Sequence, residues 1–128
     1  MIDLALLQIK IFELLSTLDY PVYDSVPKDA KCPYIEIGYS DMDDDSCKTN
    51  DGLEGLQYID IYSAYKGQKE AKEITQLVNN KIIKEQGSLK LDNATVFVYL
   101  KKIKILKKSD SMGDYTHAIL IYKIKIKE

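Results

Sequence analysis

Four groups of side chains in this 128-residue chain are of types that do chemistry. Asp41, Asp43, Asp44 and Asp45 form an acidic run, with Asp51 close behind. A calcium loop counted from Asp41 wants glycine at its sixth place and glutamate at its twelfth. Those places hold Ser46 and Gly52, so the run could offer a divalent ion, or a metal-dependent hydrolase, only loose carboxylates. A solvated acidic loop is the plainer reading. His117 is the only histidine. A general base needs a nucleophile or a water held beside it, and no nucleophile elbow, P-loop or dinucleotide fingerprint accompanies it. Cys32 and Cys47, with one histidine, are too few for a structural zinc site, and a disulfide between them is disfavoured in a cytosolic product. Lys101, Lys102, Lys104, Lys107 and Lys108, with Lys123, Lys125 and Lys127, are the fourth group. On adjoining strands they would make a basic strip. It could meet nucleic-acid phosphates, stay solvated, or face an acidic surface on a neighbouring subunit.

Charge sharpens the last alternative. Residues 1–64 hold 4 lysines against 13 acidic residues, and residues 65–128 hold 14 lysines against 7. Such a split suits a molecule that meets copies of itself, acidic side to basic side, although sequence halves need not be spatial halves. All the basic residues are lysines. The absence of arginine weighs against bidentate recognition of phosphate or carboxylate.

The elements that must position these groups follow from periodicity. Leu4, Leu7, Ile11, Leu14, Leu15 and Leu18 form one stripe of a helix over residues 2–18, ended by Pro21, with Asp3 in its first turn. Tyr20–Asp24 is a short extended piece, and Cys32–Tyr39 a strand that starts at Pro33. Residues 40–55 read as a long polar loop too poor in apolar groups to pack, shaped as a hairpin arm projecting from the sheet. Leu56–Tyr65 carries apolar residues on both faces and predicts a central strand. After Gly67 a helix runs to about Lys84, with Ala71, Ile74, Leu77, Val78 and Ile82 on one stripe and Gly87 closing it. Thr95–Leu106 is a strand whose alternation slips at Lys101–Lys102, which predicts a β-bulge. Residues 107–114 form a turn, and Tyr115–Lys127 a last strand with Tyr122, Ile124 and Ile126 inward. The order α-β-β-β-α-β-β gives one α+β domain over 1–128. It is a two-layer sandwich in which two helices cover one face of an antiparallel sheet of four to five strands. No 18-residue apolar run exists and no signal peptide is expected, so no membrane partner is foreseen.

Taken together, several stretches resemble a known family. They are Val22-Tyr-Asp-Ser-Val-Pro27, Pro33-Tyr-Ile-Glu-Ile-Gly38, Tyr58-Ile-Asp-Ile-Tyr62-Ser63, Gly67–Ile74 and Asp114–Tyr122. In this order, behind an amphipathic helix, they are similar to the small tail-completion proteins of long-tailed bacteriophages and prophages, the tail-terminator or head–tail joining class. The chain has Tyr62 where that class often has tryptophan. The resemblance implies a non-enzymatic structural protein without cofactor or metal, assembled in the bacterial host cytoplasm and carried in the virion tail. It implies a homo-oligomeric ring, commonly a hexamer, at the head-proximal end of the tail tube. Its partners would be the tail-tube protein and the head connector, with DNA only in passage. On that reading Asp41, Asp43, Asp44, Asp45 and Asp51 would reach a neighbour or line the channel, and Lys102, Lys104, Lys123, Lys125 and Lys127 would face a partner. The alternative is a small nucleic-acid-binding module that uses the lysine strands.

Overall fold

The computed structural model describes every residue except Met112, which falls in the turn expected over residues 107–114. The first helix, α1, spans Leu4–Leu15. The helix starts two residues later than expected, so Asp3 is its N-cap and accepts a 2.9 Å hydrogen bond from the Leu6 amide. The helix stops short of Leu18. The Ser16 and Thr17 hydroxyls donate to the Phe12 and Leu14 carbonyls at 2.7 Å, closing the last turn from within.

Five strands follow: β1 Val22–Tyr23, β2 Tyr34–Asp44, β3 Gly52–Ser63, β4 Thr95–Asp110 and β5 Gly113–Lys127. They form one sheet in the order β1-β2-β3-β5-β4, so β3 is central, as its two apolar faces require. All pairings are antiparallel except that of the two-residue β1, which runs parallel to β2 and makes the sheet mixed. Helix α2, Lys69–Glu85, follows β3 through Gly67, whose φ of 93° suits glycine.

Both helices lie on one face, against Ile35, Ile59, Ile61, Leu120 and Ile124, all nearly or fully buried. The α2 stripe is Ala71, Ile74, Thr75, Val78 and Ile82. Leu77, expected on it, is 45% exposed. Thr75 takes the inward place because its hydroxyl donates to the Ala71 carbonyl and hides its polarity. Gly87 does not close the helix in a left-handed turn. The chain tightens into a short 3-10 helix, Gln86–Leu89, which buries Leu89, and Leu91 follows it into the core.

Residues 40–55 are not a structureless loop. They form a hairpin arm that does not project from the sheet but continues it: Ser40 to Asp44 pair with Gln57 to Leu53, these pair in turn with Tyr122 to Ile126 of β5, and only residues 45–51 turn. Gly55 permits the close approach, since a Cβ there would strike the Asp41 carbonyl. The slip in β4 is a register shift between Leu100 and Lys102 opposite Tyr122 and Ile121. It keeps Val96, Val98, Leu100, Ile103 and Ile105 on the helix side, as the bulge predicts. The far half of β4 nevertheless outruns the helices, leaving Ile103 43% exposed. The turn between β4 and β5 is correspondingly shorter than expected, because β4 continues to Asp110.

Candidate functional site

The second face of the sheet carries no helix, and every chemically interesting group lies on it or at its edges. Cross-strand register sorts the residues. Tyr34, Glu36, Tyr58, Asp60, Tyr62, His117 and the β5 lysines share this open face, because their partners alternate with those of the core. At one end an aromatic ladder crosses the strands. Tyr23 meets Tyr34 edge-on at 5.7 Å, Tyr34 stacks on Tyr62 at 5.0 Å, and Tyr62 stacks on His117 at 4.3 Å with 12° between planes. Stacked rings of this kind give an uncovered face apolar cohesion while hydroxyls remain at its rim.

His117 is 7% exposed and fully engaged. Its Nε2 lies 2.7 Å from Asp60 Oδ1, and its Nδ1 lies 3.0 Å from Lys108 Nζ. An ammonium can only donate, so Nδ1 accepts and Nε2–H donates to Asp60. The imidazole thus lies between the Lys108 amine and the Asp60 carboxylate. Gly38 makes room for this arrangement, because a Cβ on it would overlap the Asp60 carboxylate. Beside it, burial and then the Asp60 charge push the Glu36 carboxyl above its usual range, while His117 and the Tyr62 hydroxyl pull the other way. Burial likewise raises the Tyr62 phenol, with the Asp60 and Glu36 charges adding to it. The sequence shows His117 without a motif partner. Its partners come from strands 57 and 9 residues away, a juxtaposition that only the sheet register creates.

Among the described residues no serine, threonine or cysteine hydrogen-bonds to this histidine, whose two partners are Asp60 and Lys108, and the face is open. Two depressions border the cluster, one of about 620 Å³ lined by Lys66, Lys107, Lys108 and Tyr115 and one of about 370 Å³ lined by Tyr34, Tyr62 and Tyr115, and neither includes His117. Among the described residues no three His, Cys, Asp or Glu side chains converge as metal ligands. Cys32 and Cys47 are both free and exposed. The aspartates alternate along β2: Asp41 and Asp43 are opposite Leu56 and Glu54 on the open face, while Asp44 is opposite Leu53 on the other.

At the opposite end the acidic arm lies beside the end of β5. Lys123 Nζ is 2.8 Å from Glu54, Lys125 Nζ is 4.0 Å from the same carboxylate, and Lys127 Nζ is 3.4 Å from Asp45. These three lysines, expected to face a partner, therefore meet acids of their own chain. Asp51 takes the amino terminus at 3.2 Å, and Asp44 accepts from the Ser46 amide. Asp41 and Asp43 on the arm, and Lys101, Lys102, Lys104 and Lys107 on β4, make no ion pair among the described residues. Sequence reasoning also missed Gln57. It is 5% exposed, and its amide nitrogen donates to the Gly38, Tyr39 and Tyr58 carbonyls at 3.2, 3.4 and 3.0 Å, where β2 slips its register between Ile37 and Ser40. A polar residue in the same strand phase as Ile59 and Ile61 was the available signal.

Comparison with known proteins gives this architecture a context. No curated protein sequence matches the chain. Among solved structures, a chain from the virion of a native gene transfer agent (GTA) particle is similar in fold, with a TM-score of 0.71 at 20% identity, covering 97% of this chain and 93% of that one. The family model described as Tail completion protein gp17 matches residues 11–127. The chain belongs to that family of tail-completion proteins, structural components of the phage virion tail.

Proposed function

We propose that the chain assembles with copies of itself into a ring, of hexameric kind, at the head-proximal end of the tail tube. There it ends tube growth and presents a surface to the head connector. One observation carries this reading: the ionisable groups sit on an open sheet face and on strand edges, and the depressions they line there, about 510 and 620 Å³, are wide open to solvent. Such a surface suits contact with other subunits, not turnover of a small molecule. The arm, with Asp41, Asp43, Asp44, Asp45 and Asp51, lies at the sheet's edge, where it can reach a neighbour or line a channel. An acidic lining repels DNA in transit.

Deleting the gene from the phage or prophage that encodes it tests the proposal. Electron microscopy should then show tails of uncontrolled length, or heads and tails left unjoined. Normal, infectious particles would overturn it. A second reading has its own support. Among the described residues Lys101, Lys102, Lys104 and Lys107 make no ion pair, and the half-exposed Phe97 and Tyr99 lie nearby, a pattern that also fits nucleic acid. Salt-sensitive gel shifts lost on Lys102→Glu with Lys104→Glu would favour it.

A further inference from the structure

We infer that the two open edges of the sheet pair with each other between copies: the far half of β4 in one copy adds to the free edge of the β2 arm in the next. This rests on the self-assembling reading above and specifies its contact. β1 covers β2 only at Ile35 and Glu36, so from Ile37 to Asp44 no strand lies on the outer side of β2. β4 is the other edge of the sheet. Its near half is capped, because the Val98 amide, pointing away from β5, donates to the Gln86 side chain at 3.0 Å. Its far half has no such cover. By the alternation of an antiparallel ladder, the amides of Ile103 and Ile105 also point outward. Long unpaired edges are templates for strand addition.

Direction and chemistry select the same pairing. β2 and β4 run in opposite senses within the sheet, so a sheet continued from copy to copy brings them together antiparallel. Lys102 and Lys104 lie on the open face, opposite Ile121 and Ile119, and so do Asp41 and Asp43. Both pairs are spaced by two residues. One register therefore sets Lys102 against Asp43 and Lys104 against Asp41 of the neighbour. The same register sets Ile103 against the neighbour's Met42 on the helix side, and Leu106 against its Tyr39 on the open side. Ile103, Leu106 and Tyr39 are 43%, 39% and 63% exposed in the single chain. Ion pairs and apolar pairs thus fall into place together, using the lysines and aspartates that have no partner at home. The register staggers neighbouring copies by about four residues, roughly 14 Å at a strand's rise. A stagger of that kind tilts the strands, as closing a sheet on itself requires. The contact is heterologous, arm to edge, and so propagates into a ring or a filament.

Charge reversal on the full-length chain tests it, read by native mass spectrometry and sedimentation at low salt. Lys102→Glu with Lys104→Glu, and separately Asp41→Lys with Asp43→Lys, should each weaken self-association at least about tenfold. Mixing the two variants should restore it. Each junction then pairs opposite charges only if the variants alternate, so assemblies should contain even numbers of subunits in equal amounts. Hydrogen exchange should show the Ile103 and Ile105 amides protected in the assembly and exchanging in the monomer. A wild-type chain that stays monomeric at high concentration would overturn the self-assembling reading and this contact with it. A wild type that assembles, with variants unaffected or unrescued by mixing, would overturn the edge pairing alone.

Discussion

Removing the Asp60 carboxylate tests whether the register-built cluster around His117 holds the open face together. In Asp60→Ala the Nε2–H of His117 loses its 2.7 Å acceptor, with the two side chains only 9% and 14% exposed. A hydrogen bond to a charged group contributes about 1.5–3 kcal/mol, and a buried donor left unsatisfied costs about 1–3 kcal/mol. These overlap, and relief of the like charge beside Glu36 returns a small part, so a net loss of about 2 kcal/mol is expected. Asp60→Asn keeps an acceptor oxygen and should lose about 1 kcal/mol. At about 2.1 cal/mol/K per residue the unfolding entropy of this chain makes 1 kcal/mol worth about 4 °C in Tm. The alanine variant should therefore melt about 8 °C lower and the asparagine variant about 4 °C lower. Urea titrations at one fixed protein concentration should show the midpoint move with the slope unchanged. A loss below about 0.5 kcal/mol for alanine, or equal losses for both variants, would refute the reasoning.

Gln57→Leu strips the donor from three carbonyls at the β2 register shift. It should cost about 1–3 kcal/mol, whereas Gln57→Glu should be worse still, because a carboxylate repels those oxygens; chemical denaturation reads both. Gly55→Ala forces a Cβ onto the Asp41 carbonyl and should part the arm's strands. Amides of residues 41–44 should then exchange faster while those of α2 do not. Lys123 beside Glu54 holds that carboxyl below its usual value. The ion pair's contribution is therefore fully present above the ordinary glutamate range and is lost as pH falls through the depressed folded value. NMR shifts of Lys123 should follow that titration, and Glu54→Gln should abolish it.

The sequence carried most of the scaffold because its signals are local. Alternation in Tyr122–Lys127, the slipped phase at Lys101–Lys102 and the α1 stripe each depend on neighbours a few residues away. They predict the last strand, the bulge and the helix that the structure shows. The parallel seat of β1 was not legible, since two residues carry no period. The hairpin arm was legible in outline, but its place within the sheet was hidden by composition: aspartates are poor strand formers, yet pairing of Asp41 to Asp44 with Leu53 to Leu56, which pair in turn with β5, keeps them extended. The cluster around His117 was least visible. It unites Asp60, Lys108 and His117 from three strands through register alone. The lysines of β5 looked identical in type to those of β4. Only the register shows that Lys123, Lys125 and Lys127 lie beside the chain's own acids, while Lys102 and Lys104 lie on the outermost strand.

The most direct measurement is an electron cryo-microscopy map of the head-proximal tail end of the particle that carries this chain. The account predicts a closed ring of copies in which β4 of each lies along the arm of the next, with Lys102 and Lys104 facing the neighbour's Asp43 and Asp41. A map in which the chain is missing from the tail, or in which its copies leave both sheet edges bare, would contradict it.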